Sequence, residues 1–219
     1  MRFAALETST PWCSVALWRD GEIASIERLA GNRHSELVLP MLQSLLDRNH
    51  LSLKDLDAVA FGAGPGSFTG LRIACALAQG LALPRGLPVL GVSAFEALAE
   101  ESGAPRVAAC IDARMREVYY AALESGGGRW REVVPQRCVA PQEVRPPSGT
   151  GWVGCGSGFA AYGDLGFETI FPAVHPGAAT IAALAAPRFA AGEGVDAALA
   201  APAYLRDKVA LTKEEQEAR

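Results

Sequence analysis

Four short stretches carry the residue types that could do chemistry. The first is GAGPGSFTG (62–70), set between an apolar run and a helix-like run. Backbone N–H groups at such a helix start can hold an anion, with Gly64, Gly66 and Ser67 as the natural contacts. The same glycines equally suit a tight turn that needs positive φ and close strand–helix packing. No Lys-Ser/Thr pair closes the stretch, so it is not a Walker A loop. Ser67 stands where the dinucleotide fingerprint requires its third Gly. Ser67 is also a poor nucleophile, since GPGSF is not a G-x-S-x-G elbow and no His flanks it. The second stretch, Glu7-Thr8-Ser9-Thr10, offers a carboxylate and hydroxyls to a metal-bound phosphate, or simply turn and cap chemistry. The third, from Asp112 through Arg114 to Glu117, follows a strand end, where ligand sites in α/β folds lie. The fourth is GCGSG (154–158), with Gly156 at its centre. For both of these a plain hairpin or turn is an equal alternative.

No metal site is indicated. His34, His50 and His175 form no HxxxH or HExxH pair, and the five cysteines form no CxxC. No catalytic residue is named.

The elements that must position these stretches follow from periodicity. RFAALET (2–8), CSVALW (13–18) and EIASIE (22–27) read as strands, with Asp20-Gly21 as the turn between the last two. A helix is expected from His34 or Ser35 to about Asn49, a strand over 57–61, and a helix from about Phe68 to Leu83. A strand over 87–92 and a helix over 93–101 follow, Ser93 capping the helix and Glu96 standing three residues on. The pattern then restarts. RVAACID (106–112) resembles RFAALET, EVYYAALE (117–124) takes the place of CSVALW, and RWREVV (129–134) that of the third strand. This order implies an internal duplication. The SGAP turn puts a lobe boundary near 102–105, giving lobes 1–104 and 105–219. The alanine-rich stretch 173–203 favours a helix, and the terminal KEEQEAR is expected to be a frayed tail.

Polarity is missing from one region. Residues 57–99 hold four charged residues, Asp57, Arg72, Arg85 and Glu96, in a chain that is 20% charged. The first helix places Leu37, Val38, Leu39, Met41, Leu42, Leu45 and Leu46 on an arc of roughly 200°, wider than one sheet contact requires. In the second, Gly70, Ala74, Ala78 and Ala82 form a smooth i+4 ridge. Either each helix is sandwiched within its own domain, or the pair buries an outer face against another chain.

The chain has 219 residues, 50% of them apolar, and a net charge of −4. It can bury a large core, and its charge does not favour gripping nucleic acid alone. No apolar run is long enough to cross a membrane. No signal peptide is read at the N-terminus. Scattered cysteines suit a reducing cytosol, so a cytoplasmic location is expected.

The chain resembles the TsaB (YeaZ) family from end to end. The resemblance rests on ALETST with CSVALW, HSELVLPML (34–42), DLDAVAFGAGPGSFTGLRI (55–73), LPVLGVSAFEALA (87–99), IDARMREVYYA (111–121) and PAYLRDKVA (202–210). It implies an α/β actin/Hsp70-like ATPase fold of two duplicated lobes, each with a mixed sheet. It implies a non-catalytic partner of TsaD, the subunit that makes N6-threonylcarbamoyladenosine beside the anticodon of tRNAs reading ANN codons. TsaD carries a metal-binding HxxxH helix after the strand matching LPVLGV, and this sequence has no His there. A TsaE-type ATPase joins the complex, tRNA is reached only through it, and the chain alone forms a homodimer. No cofactor is expected to bind tightly, with ATP or ADP allowed for at the partner interface. That interface is expected on the first two helices, through His34, Leu37, Val38, Met41, Leu42, Leu45, Arg72, Ala74 and Ala78. Two departures stand out: Glu7 where the family usually has Asp, and Ala74 where it often has Gly. The candidate nucleotide or anion contacts are Glu7, Gly64, Gly66, Ser67, Asp112, Arg114 and Gly156, and the competing reading is an actin-like ATPase or kinase relative using GAGPGSFTG and GCGSG for nucleotide.

Overall fold

The computed structural model describes residues 1–206. The KEEQEAR tail and the end of PAYLRDKVA lie outside the described residues. Fifteen elements are named here in chain order: β1 (Arg2–Glu7), β2 (Trp12–Arg19), β3 (Glu22–Leu29), α1 (His34–Arg48), β4 (Ala58–Gly64), α2 (Phe68–Ala82), β5 (Val89–Ser93), α3 (Ala94–Ser102), β6 (Arg106–Arg114), β7 (Glu117–Gly126), β8 (Arg129–Val139), β9 (Val153–Cys155), α4 (Ser157–Tyr162), β10 (Ile170–Phe171) and α5 (Ala178–Ala190). The strands form two sheets, ordered β3-β2-β1-β4-β5 and β8-β7-β6-β9-β10. In each, a three-strand antiparallel meander is followed by two parallel strands. The second half therefore repeats the first strand for strand, as the restart at Arg106 implied.

The strand β1 reads as an unbroken apolar run because both its faces are covered. Ala4 and Leu6 pack with Val38, Leu42, Leu45, Ala74 and Ala78 of α1 and α2. Phe3 and Ala5 face the other way, onto Ile181, Ala182, Ala185 and Phe189 of α5. The alanine-rich stretch is thus a core helix of the first sheet, not a featureless end. Its small side chains let α5 lie close on the sheet, and Ser14 Oγ accepts the Ala178 amide at 2.9 Å at its start. Conversely, Phe95 and Leu98 of α3 pack mainly against Val107, Ala109, Ile111 and Leu123 of the second sheet. A division at 104/105 separates the sheets, while α3 and α5 each cover the sheet on the other side of it. These two helices touch through Thr180 and Glu101, which hydrogen-bond, and through Arg188 and Glu96 at 3.7 Å. Ser93 caps α3 by accepting the Phe95 amide at 3.2 Å.

Candidate functional site

The end of β1 and the Gly-rich loop after β4 are pressed together. Glu7 is fully buried, and its Oε1 accepts the Ser9 amide at 2.5 Å. Among the described residues its Oε2 has no partner, nor has the buried Ser9 Oγ. Burial pushes the Glu7 carboxyl above its ordinary value, against lowering hydrogen bonds from Ser9 and Thr8. The glycines of the loop make this closeness possible. A Cβ on Gly62 would fall 1.7 Å from Glu7 Oε2, on Gly66 2.7 Å from Ser9 Cβ, and on Gly70 1.9 Å from the Thr8 carbonyl. Thr8 Oγ1 in turn donates to the Gly70 carbonyl at 2.7 Å.

Three amides of this stretch are engaged within the chain. Ser67 N–H donates to the Ser9 carbonyl at 2.8 Å, Gly70 N–H to Ser67 Oγ at 3.3 Å, and Leu71 N–H to the Ser67 carbonyl at 2.8 Å. The arrangement at Gly64, Gly66 and Ser67 is loop-on-loop packing with Ser67 as a helix cap.

In the second lobe, the helix α4 abuts the end of β6. A Cβ on Gly156 would lie 2.6 Å from the Cys110 carbonyl, and one on Gly158 2.3 Å from Cys110 Sγ. Ser157 Oγ accepts the Asp112 amide at 3.1 Å. Asp112 then folds over the hairpin, accepting the Arg114 amide at 2.9 Å and pairing with its guanidinium at 3.1 Å. Arg114, Met115 and Arg116 all have left-handed backbone, at φ 62°, 54° and 62°. Three consecutive non-glycine residues there are costly, so something must hold this turn.

What holds it is a segment without an assigned role in the sequence. From Ala200 to Arg206 the chain runs antiparallel along α2 and crosses to the second lobe. The Ala200 carbonyl accepts Cys75 Sγ at 3.4 Å and Gln79 Nε2 at 3.1 Å. Ala203 N–H donates to the Ala63 carbonyl at 2.8 Å. Tyr204 accepts Arg72 Nε at 3.0 Å, and the Arg72 guanidinium sits 3.7 Å over the Phe68 ring. Leu205 packs with the second-lobe core. Arg206 donates to the Ala113 carbonyl at 3.1 Å and pairs with Glu117. The aromatic and Arg in PAYLR were the visible signal. Their partners, Phe68 and Glu117, lie far away in the chain.

The outer helices require a correction. His34, Val38, Met41, Leu42, Leu45, Ala74 and Ala78 are buried in the chain's own core, so their side chains do not form a free surface. His34 Nε2 lies 2.8 Å from the Thr10 carbonyl and 3.2 Å from that of Trp12, clamping the loop after β1. The Gly70–Ala82 ridge serves to bring α2 close to the first sheet. Of the nine residues placed at the interface, Arg72 is exposed and Leu37 half-buried. The outward surface is instead made by Ile73, Ala76, Leu77 and Gly80 of α2, with Leu37 and Leu39 of α1. Leu39 and the following Leu83 are 43% and 52% exposed. Helix–sheet packing consumed the most apolar arc, and the edges of that arc remain.

Two lobes of equal strand order, each a three-strand meander followed by two parallel strands, give the two-lobe α/β fold of the actin/Hsp70-like ATPase class. The family model for TsaD, tRNA N6-adenosine threonylcarbamoyltransferase, matches residues 26–151. The chain is 40% identical over 227 residues to the tRNA threonylcarbamoyladenosine biosynthesis protein TsaB of Escherichia coli (strain K12), covering 97% of this chain and 98% of that one. It is 35% identical to the protein of the same name from Haemophilus influenzae, covering 95% of each. The structure of YeaZ from Pseudomonas aeruginosa superposes with a TM-score of 0.88 at 40% identity, over 93% of this chain and 99% of that one. The chain belongs to the TsaB (YeaZ) family.

Proposed function

We propose that this chain is the non-catalytic docking subunit of a TsaD-type enzyme that forms N6-threonylcarbamoyladenosine beside the anticodon of tRNAs reading ANN codons. One observation carries this reading: the outward face of α2 is apolar and smooth. Ala76 and Gly80 lie one turn apart, beside the parallel row of Ile73 and Leu77. Small residues at i and i+4 let a partner helix approach closely. Exposed apolar surface of this kind marks a protein contact.

The closed Gly-rich loop supports the non-catalytic part. Its Ser67, Gly70 and Leu71 amides serve the fold, and α3, from Ala94 to Ser102, contains no His. Any ATP or ADP belongs at the partner interface, held by both chains, and not on the 62–70 loop. A TsaE-type ATPase completes the assembly, and a homodimer uses the same α2 face when the partner is absent. With a net charge of −4, the chain reaches tRNA only through the complex. The cytoplasm, where tRNA is modified, is the expected compartment.

The test is docking to a TsaD-type subunit, followed by calorimetry, with wild type and Ala76→Arg. Ala76 is exposed, so the variant should fold as wild type. Tight binding by wild type and loss of at least 100-fold in the variant is the expected result. Equal binding by both removes the α2 face from the interface. Micromolar ATP binding with turnover by the isolated chain would favour an ATPase instead.

A further inference from the structure

The strap from Ala200 to Arg206 touches both one side of α2, at Phe68, Arg72, Cys75 and Gln79, and the strained hairpin of the second lobe. At one end it grips α2 through the Ala200 carbonyl and through the Phe68–Arg72–Tyr204 cluster. In the middle, the Ala203 amide fixes it to the Ala63 carbonyl on the Gly-rich loop. At the other end, the Arg206 side chain, 13% exposed, meets the Ala113 carbonyl, Met115 Sδ at 3.6 Å, the Glu117 carboxylate and Cys138 Sγ at 3.6 Å. Those contacts bracket the left-handed turn Arg114–Arg116. A backbone in such a conformation persists only where its surroundings over-determine it. Arg206 supplies that constraint, because a planar guanidinium can serve a carbonyl and a carboxylate at once.

We propose that the strap is a latch coupling the Asp112–Glu117 turn to the start of α2, so that loosening either end loosens the other. Arg206 is the positioning residue at the second-lobe end and Tyr204 at the α2 end. The coupling is a physical two-ended contact, and coupling between sites acts equally in both directions. Its relevance to docking rests on the function proposed above. Its existence does not, since it is a property of the isolated chain.

Hydrogen exchange on the full chain tests it from both ends. Arg206→Met should speed exchange of amides 112–117 and also of 68–73, each at least tenfold, with the central strands β1 and β6 unchanged. Tyr204→Ala removes an exposed ring, so the fold is retained, and it should speed exchange at 112–117 as well as at 68–73. If each variant speeds exchange only at its own end, or at neither, the latch is overturned. Addition of a saturating TsaD-type subunit to wild type should slow exchange at 112–117 along with α2. Slowing at α2 alone also overturns the coupling. No slowing at α2 counts against the docking reading, and the two strap variants then decide the latch by themselves.

Discussion

On the first sheet, the outer face is roofed by two fifteen-residue helices, α1 and α2. On the second, the equivalent face is closed by the six-residue α4 with Val144 and Phe167. The strand order beneath is the same. The difference shows that duplication preserved the sheets while the outer layer was free to change. Where the roof is thick, its inner side completes a core and its outer side is left over for contact. Where the roof is thin, Gly158 and Phe159 of α4 enter the core, and its exposed side is only Ser157, Ala160 and Ala161.

The glycines give the sharpest way to break this comparison. Gly70→Ala should cost about 3 kcal/mol or more, because its Cβ would meet the Thr8 backbone, which cannot step aside. Gly158→Ala meets mainly the Cys110 thiol, and about 1–2 kcal/mol is expected. Urea unfolding measures both, and the reverse order would show that the second lobe is the more tightly built. Next in size is docking. Ala76→Arg on the thick roof should lose about 2.7 kcal/mol of binding, while Val133→Arg on the exposed β8 should leave it unchanged. Equal losses would move the interface off α2.

A smaller effect concerns the buried carboxyl. Glu7 is raised by burial above its ordinary value of 4.5. Its neutral form is therefore favoured in the folded state. The stability this contributes is full below about 4.5 and is lost as pH rises through the folded value. Glu7→Gln, which cannot ionise, should be more stable than wild type at pH 8, with the gap closing toward pH 4. Thermal melts across this range measure it, and a gap independent of pH would show that Glu7 does not titrate. The smallest effect is Gly80→Ala. Nothing lies within 4 Å of the new Cβ, so a gain of about 0.5–1 kcal/mol follows from helix propensity alone.

Local pattern revealed most of the scaffold. The α1 and α2 boundaries agree with the periodicity to within a residue, since apolar spacing and the Ser67 cap are written in adjacent residues. The repeat was visible because β6 resembles β1 in composition and in place. The use of the faces was not legible. An arc of leucines on α1 is apolar whether it meets a sheet or a partner, and only the fold shows that Val38 and Leu42 are spent inside. The same holds for the Gly-rich loop, where spacing alone suits an anion or a neighbouring loop, and the close approach of Gly70 to the Thr8 carbonyl appears only in the fold. The roles of α5 and Arg206 depend on contacts across more than eighty residues, which no local window contains.

The return of α5 to the first sheet bears on how the chain is made. Phe3, Ala5 and Ala60 of the first sheet stay uncovered until residues 178–190 have been synthesised. A ribosome that has released only the first hundred residues therefore displays an unfinished lobe, with one sheet face open to water. The first lobe becomes complete only after the second has been translated. Vectorial, lobe-by-lobe folding is closed to this chain, and its late helix is the piece that seals the early one.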